Sequence, residues 1–240
     1  MILVSGAIGW GLSVNGPAHT RIVPIVRRHA TAPAELPKGW SYVAQSRGGT
    51  LAVYRRPAHG AHPALSLTTQ VSAGEPLTAL VRRIRGHWVQ IYLPVRPDGA
   101  TGWVHTRRVK LLTTAYSLAV HLRSHRLFLS IGKRVVRRFS IGVGRAVTPT
   151  PTGIYFITEL LKQPDPNGLY GPFAFGLSAY SGVLRHFGRG GDGQIGIHGT
   201  DQPELVGTDV SHGCIRLRNP DILWLRKRLP LGTPVTIARD

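Results

Sequence analysis

Between Trp40 and Leu112 the segments TLAVY, ALSLTTQV, PLTALVRRI, HWVQIYLP and GWVHTRRVKL alternate apolar with polar residues, and Gly60, Gly74, Gly86 and Gly99 stand at the breaks. Alternation with a period of two marks strands with one buried face, so five short strands closing into a small barrel are expected over 40–112. A second series follows from Thr113: SLAVHLR, RLFLSI, KRVVRRFSIGVG and GIYFITEL, with a turn at Ser130 to Lys133. The proline-rich runs PTPTG (from Pro149) and PDPNG (from Pro164) exclude helix where they occur. One helix is signalled: Asn219 suits its cap, Pro220 its first position and Asp221 its positive end, while ILWLRKRL places apolar residues at helical spacing. PVTIARD reads as a last strand, so the expected class is mainly β with one helix.

Upstream of this pattern, Met1 to Val14 is mostly apolar, but no basic residue precedes it and three glycines interrupt it. It is a poor secretory leader as written, and no run reaches the roughly 18 apolar residues of a membrane span. Pro17 to Gly39 carries four prolines and no periodicity, so residues 1–39 read as leader and linker. Any membrane contact would come through that leader.

Composition changes the picture in two respects. The net charge of +19 comes from 25 arginines and 5 lysines spread through every segment, a diffuse positive field that attracts polyanions. Nucleic acid and the anionic polymers and acidic peptides of a bacterial wall both fit that field. The chain also has a single cysteine, Cys214, which rules out an internal disulfide and leaves the redox compartment open.

The surroundings of Cys214 carry the chemistry. A thiol attacks carbonyl carbon as thiolate, and an ordinary cysteine with a pKa near 8.5 needs an imidazole to take its proton at neutral pH. His198, His212 and more remotely His186 compete for that role. If Ser211 to Cys214 form a strand, His212 and Cys214 share a face and a backbone, whereas His198 arrives from a separate strand with freer geometry. Cys214 as nucleophile, His198 as base and a backbone carbonyl just after His198 orienting the ring meet the logic of an activated nucleophile. Gly213 permits a turn closed to other residues, the N–H groups of Gly213 and Cys214 are candidates for an oxyanion hole, and Arg216 could hold a substrate carboxylate.

Other readings compete. Cys214 alone would be a buried small hydrophobe, and His198 a histidine satisfied by a turn. Zinc bound by His198, His212 and Cys214 would need an unusual H-x-C spacing and lacks a fourth ligand. A basic barrel protein that binds nucleic acid predicts salt-dependent affinity and leaves the cysteine unexplained. Trp88 and Trp103 could be core aromatics of an unrelated barrel.

The motifs IGIHGT and SHGCIRL, with RLFLSIGKRVVRRFSIGVGRAVTPTPTGIYFI and GPFAFGLS before them, resemble L,D-transpeptidase catalytic domains of the YkuD type over about Tyr116 to Asp240. Over 40–112, Gly74-Glu75, Trp88-Val89 and Gly102-Trp103-Val104 resemble the bacterial SH3-like family, which implies a wall-binding or positioning module. Together the resemblances imply an SH3-like barrel at 40–112 and a β-sandwich-like L,D-transpeptidase domain at 113–240, located in the cell envelope outside the cytoplasmic membrane. They imply Cys214 as nucleophile, His198 as general base and His212 as a supporting residue. Ser211, Gly213, Gly199 and Arg216 would shape the pocket, although the family often has asparagine at the position of Arg216. The implied partners are peptidoglycan peptide stems and not nucleic acid, with no metal or organic cofactor. The implied reaction is attack on the third-position carbonyl, expulsion of D-alanine and capture by an amine to give a 3→3 crosslink, or by water to give carboxypeptidase trimming.

Overall fold

A computed structural model describes residues 35–58, 60–68, 74–186 and 192–240. The expected leader and most of the linker lie outside the described residues. Strands β1 (Ser41–Ser46), β4 (Thr78–Arg85), β5 (Trp88–Tyr92), β6 (Thr101–His105) and β7 (Val109–Thr114) form a five-stranded antiparallel sheet in the order β6-β5-β4-β1-β7. A hairpin of β2 (Thr50–Val53) and β3 (Leu65–Thr68) is joined to it by a bridge between Tyr54 and Trp103. Four of the five expected segments each hold one strand. GWVHTRRVKL holds two, because Thr106–Arg108 turn as a 3-10 helix and let the chain cross from one sheet edge to the other. Trp88 and Trp103 are both buried.

The second sheet is mixed and eight-stranded. Its order is β10 (Arg134–Ser140), β9 (Arg126–Ile131), β8 (Tyr116–His121), β17 (Pro234–Ala238), β12 (Gly153–Lys162), β13 (Phe173–Tyr180), β14 (Gln194–His198) and β16 (Ile215–Arg216). Its pairing runs unbroken through all eight strands, so the sheet is one curled surface in which β12 pairs with β17 through Gly153–Phe156 and with β13 through Ile157–Lys162. The last strand, β17, enters the middle of the sheet parallel to β8, and that insertion makes the pairing continuous. Two short strands, β11 (Val143–Gly144) and β15 (Asp209–Ser211), pair in parallel beside it.

The helix α1 spans Asn219–Arg226 and buries Ile222 and Leu225. Its cap position is Arg218, in extended backbone and with no side-chain cap bond, and not Asn219 as expected. Arg137 of β10 holds the helix from outside, with Nη2 3.3 Å from Asp221 and the guanidinium 4.5 Å from the Trp224 ring.

Two cores result, and β12 serves both. Tyr155 and Ile157 point into the core of the large sheet, whereas Phe156, fully buried between them, belongs to the core of the small one. That is why GIYFITEL is a nearly continuous apolar run: both faces of the strand are covered. The turn joining β5 to β6 locks the contact. Arg96 donates to the carbonyls of Ser181 (2.7 Å) and Asp192 (2.9 Å), and Asp98 accepts from the Tyr180 N–H and the Tyr155 hydroxyl. Phe156→Ala is expected to lower the unfolding free energy by about 3–5 kcal/mol, read from the urea midpoint. An unchanged midpoint would mean that the two cores do not depend on this side chain.

Candidate active site

The site lies at the edge of the large sheet, where β14 pairs in parallel with β16 in the register Ile197↔Ile215 and His198↔Arg216. Side chains in a strand alternate between faces. Ile195, Ile197, Ile215 and Leu217 are fully buried in the core, which assigns Gly196, His198, Cys214 and Arg216 to the opposite face. Cys214 directly precedes β16, and its Sγ accepts from the Gly196 N–H at 3.4 Å. His198 lies two residues further along β14, a rise of roughly 7 Å. Between them Gly196 offers no side chain, and a Cβ there would meet only the Phe175 carbonyl oxygen, at 3.1 Å. The space above Gly196 is therefore open between sulfur and imidazole.

His198 is buried, and its Nδ1 lies 2.5 Å from the Gly199 carbonyl oxygen. A carbonyl can only accept, so Nδ1 carries the proton and Nε2 is left as an acceptor, with no hydrogen bond among the described residues. Burial pulls the His198 pKa down to about 4, and the nearby Arg216 guanidinium adds to the effect. Burial also pushes the Cys214 thiol up from its usual value, against the Gly196 N–H and Arg216, which favour the thiolate. The resting pair is thus neutral thiol and neutral imidazole.

The chain belongs to a known pattern over this half: residues 115–237 match the family of L,D-transpeptidase catalytic domains, YkuD type. It is a member of that family. The putative L,D-transpeptidase YkuD of Bacillus subtilis is 32% identical over 72% of this chain and 99% of its own length. The protein of the same name from Bacillus licheniformis is 38% identical over 52% of this chain and 67% of its own. Among solved structures, an L,D-transpeptidase from Mycobacterium smegmatis aligns with a TM-score of 0.42 at 16% identity, over 63% of this chain and 91% of that one.

In this L,D-transpeptidase domain the cysteine loop is not a strand. β15 ends at Ser211 and β16 begins at Ile215, with Gly213 at φ +123 between them. The strand geometry expected to place His212 beside Cys214 is therefore absent, and His212 is exposed. His186 is exposed as well. A side chain at Gly213 would be strained by that φ, and its Cβ would lie 2.9 Å from Ile195 Cδ1. The Gly213 N–H is not free for an oxyanion: it donates to Ser211 Oγ at 3.0 Å, and Ser211 Oγ donates to the Cys214 carbonyl at 2.5 Å. The Cys214 N–H has no partner among the described residues.

Groups that the sequence reading passed over hold the site together. Thr150 Oγ1 accepts from the Gly144 N–H (2.9 Å) and donates to the Gly213 carbonyl (2.8 Å), so the TPTPTG run braces the cysteine loop. Asn219 Oδ1 accepts from the Thr200 N–H at 2.9 Å, its use in place of capping α1, and so holds the turn that presents the Gly199 carbonyl. Gly199 packs against Asn219 and Gly171 so closely that a Cβ would lie 2.3 Å from Asn219 Oδ1. Tyr170 stands edge-on to the His198 ring, 4.8 Å between centroids. Arg216 is buried, donates from Nη1 to Gln202 Oε1 at 3.1 Å, and keeps a buried Nε without a partner. Among the described residues no three His, Cys, Asp or Glu side chains cluster as a metal site.

The shifts have measurable consequences. Because His198 titrates lower folded than unfolded, its contribution to stability is whole above about pH 6.5 and is lost as pH falls toward 4, about 3 kcal/mol in all. Urea unfolding across that range should show this slope in the native protein and a flatter one in His198→Gln; equal slopes would contradict the buried neutral ring. Iodoacetamide labelling of Cys214 should rise with pH through a midpoint above that of free cysteine, and a midpoint near neutrality would contradict the neutral resting pair.

Proposed function

We propose that this L,D-transpeptidase acts on peptidoglycan stems outside the cytoplasmic membrane, with Cys214 as nucleophile and His198 as general base. What carries the reading is the parallel register of β14 and β16. It sets the only cysteine and a tautomer-fixed imidazole on one face with open space between them.

As Sγ attacks the carbonyl carbon of the third stem residue, the thiol proton passes to His198 Nε2. Transfer concerted with attack avoids a free thiolate, which the buried site disfavours. Negative charge then builds on the carbonyl oxygen, and the unpartnered Cys214 N–H is the backbone donor available to it. Collapse breaks the C–N bond, D-alanine leaves with the proton from Nε2, and a thioester remains on Cys214. An amine of a second stem loses a proton to Nε2, attacks the thioester and releases the sulfur, which recovers that proton. Water in place of the amine gives the trimmed stem and carboxypeptidase activity. Arg216, whose charge acts on both groups, suits a substrate carboxylate. Ser211, Gly213 and Gly199 act through the backbone that carries the reacting groups, and no metal or organic cofactor enters any step.

The small sheet over 40–112 suits the SH3-like module suggested by its motifs, with residues 113–240 as the catalytic unit. Its role would be to position the catalytic unit on the wall. The diffuse positive charge fits wall anions.

Cys214→Ala should abolish both D-alanine release from tetrapeptide stems and dimer formation, while circular dichroism and the unfolding midpoint stay close to the native values. Mass spectrometry of the native protein with substrate should find the acyl group on Cys214. Retained D-alanine release in the variant would refute the assignment.

A further inference from the structure

A second cavity, of about 460 Å³, lies behind the cysteine loop and includes neither Cys214 nor His198. Three separate elements each contribute an arginine to its wall: Arg123 from the turn after β8, Arg145 from the chain after β11, and Arg239 from the chain after β17. The only acidic group in the wall, Asp209, is already engaged by His125 Nε2 at 2.8 Å. None of the three arginines forms an ion pair among the described residues. Several other arginines have structural work: Arg96 binds carbonyls, Arg137 holds α1, and Arg226 and Arg228 cover Phe173 and Trp224 at 4.1 and 3.7 Å. The wall thus carries three guanidinium groups against one carboxylate, and an anion between them would lower their mutual repulsion. Their planar forks match carboxylate and phosphate oxygens.

The floor of this cavity is the brace of the active site. Gly144, Pro149 and Thr150 line it, Thr150 bonds the Gly213 carbonyl, and the Arg145 N–H donates to the Ser211 carbonyl at 3.0 Å. An occupant would press on the segment that sets the cysteine loop without touching the sulfur.

We propose that this cavity is an oxyanion subsite that takes a multiply charged carboxylate or phosphate group of the wall while Cys214 works on a stem. The inference rests on the peptidoglycan reading above for the source of the anion. Two sources share the chemistry: the free carboxylates of a neighbouring stem peptide, and the phosphates of a wall polymer.

The test is calorimetric binding to the full chain at about 0.15 M salt, where diffuse attraction is largely screened. One arm uses a synthetic stem peptide with free carboxylates, the other a glycerol phosphate oligomer. At least one should bind at a single site, and the responding arm names the source. Arg145→Gln with Arg239→Gln should weaken that binding by about tenfold or more, the loss expected for two charge-assisted contacts. Arg82→Gln with Arg83→Gln, an equal change of charge on exposed positions of β4, should leave it within about twofold. No binding in either arm, or equal weakening in both double variants, overturns the subsite. Because binding is read without turnover, retained D-alanine release in Cys214→Ala would overturn the functional reading and leave this result standing.

Discussion

The parallel pairing of two short strands, β14 and β16, is the constraint on which this site depends. The register Ile197↔Ile215 sends four aliphatic side chains into the core, and the same alternation turns Cys214, Gly196, His198 and Arg216 outward together. Hydrophobic burial on one face thus fixes the chemistry on the other. A slip of one residue would turn His198 and Arg216 into the apolar core in place of the aliphatic side chains, a penalty that makes the register hard to lose.

Around that pairing the protein uses backbone hydrogen bonds to place reacting groups. Thr150 ties Gly213 to Gly144, Ser211 closes the loop on Cys214, and Asn219 fixes the turn that carries the Gly199 carbonyl. The Thr150–Gly213 and Thr200–Asn219 bonds join segments far apart in sequence, whereas those of Ser211 to Cys214 and Gly144 to Thr150 close local loops. The result is a preorganised imidazole, protonated at Nδ1 and accepting at Nε2, beside a thiol held neutral by burial.

The small sheet is part of the same frame. Phe156 reaches into its core from the central strand β12, and the Arg96–Asp98 turn grips both ends of the connection between β13 and β14. Since β14 carries His198, the two sheets are coupled through the strand that matters most to the site. Some of the arginines that make the chain so basic have structural duties of this kind, and three others line the hollow behind the cysteine loop.

By itself the sequence determined the β class, most strand positions and the helix after the motif, and it singled out Cys214 and His198 as the candidate pair, because alternation and residue chemistry are local properties. It pointed to a backbone carbonyl just after His198 as the ring's orienter for the same reason, and the structure makes it that of Gly199. Tertiary structure decided the rest. His212 is exposed, the Gly213 N–H is consumed by Ser211, and Asn219 serves Thr200 instead of the helix. Tyr170 and Thr150 enter the site from distant segments. These outcomes depend on which strands pair and in what register, and burial of one face across the whole sheet selects that, not any short stretch of residues.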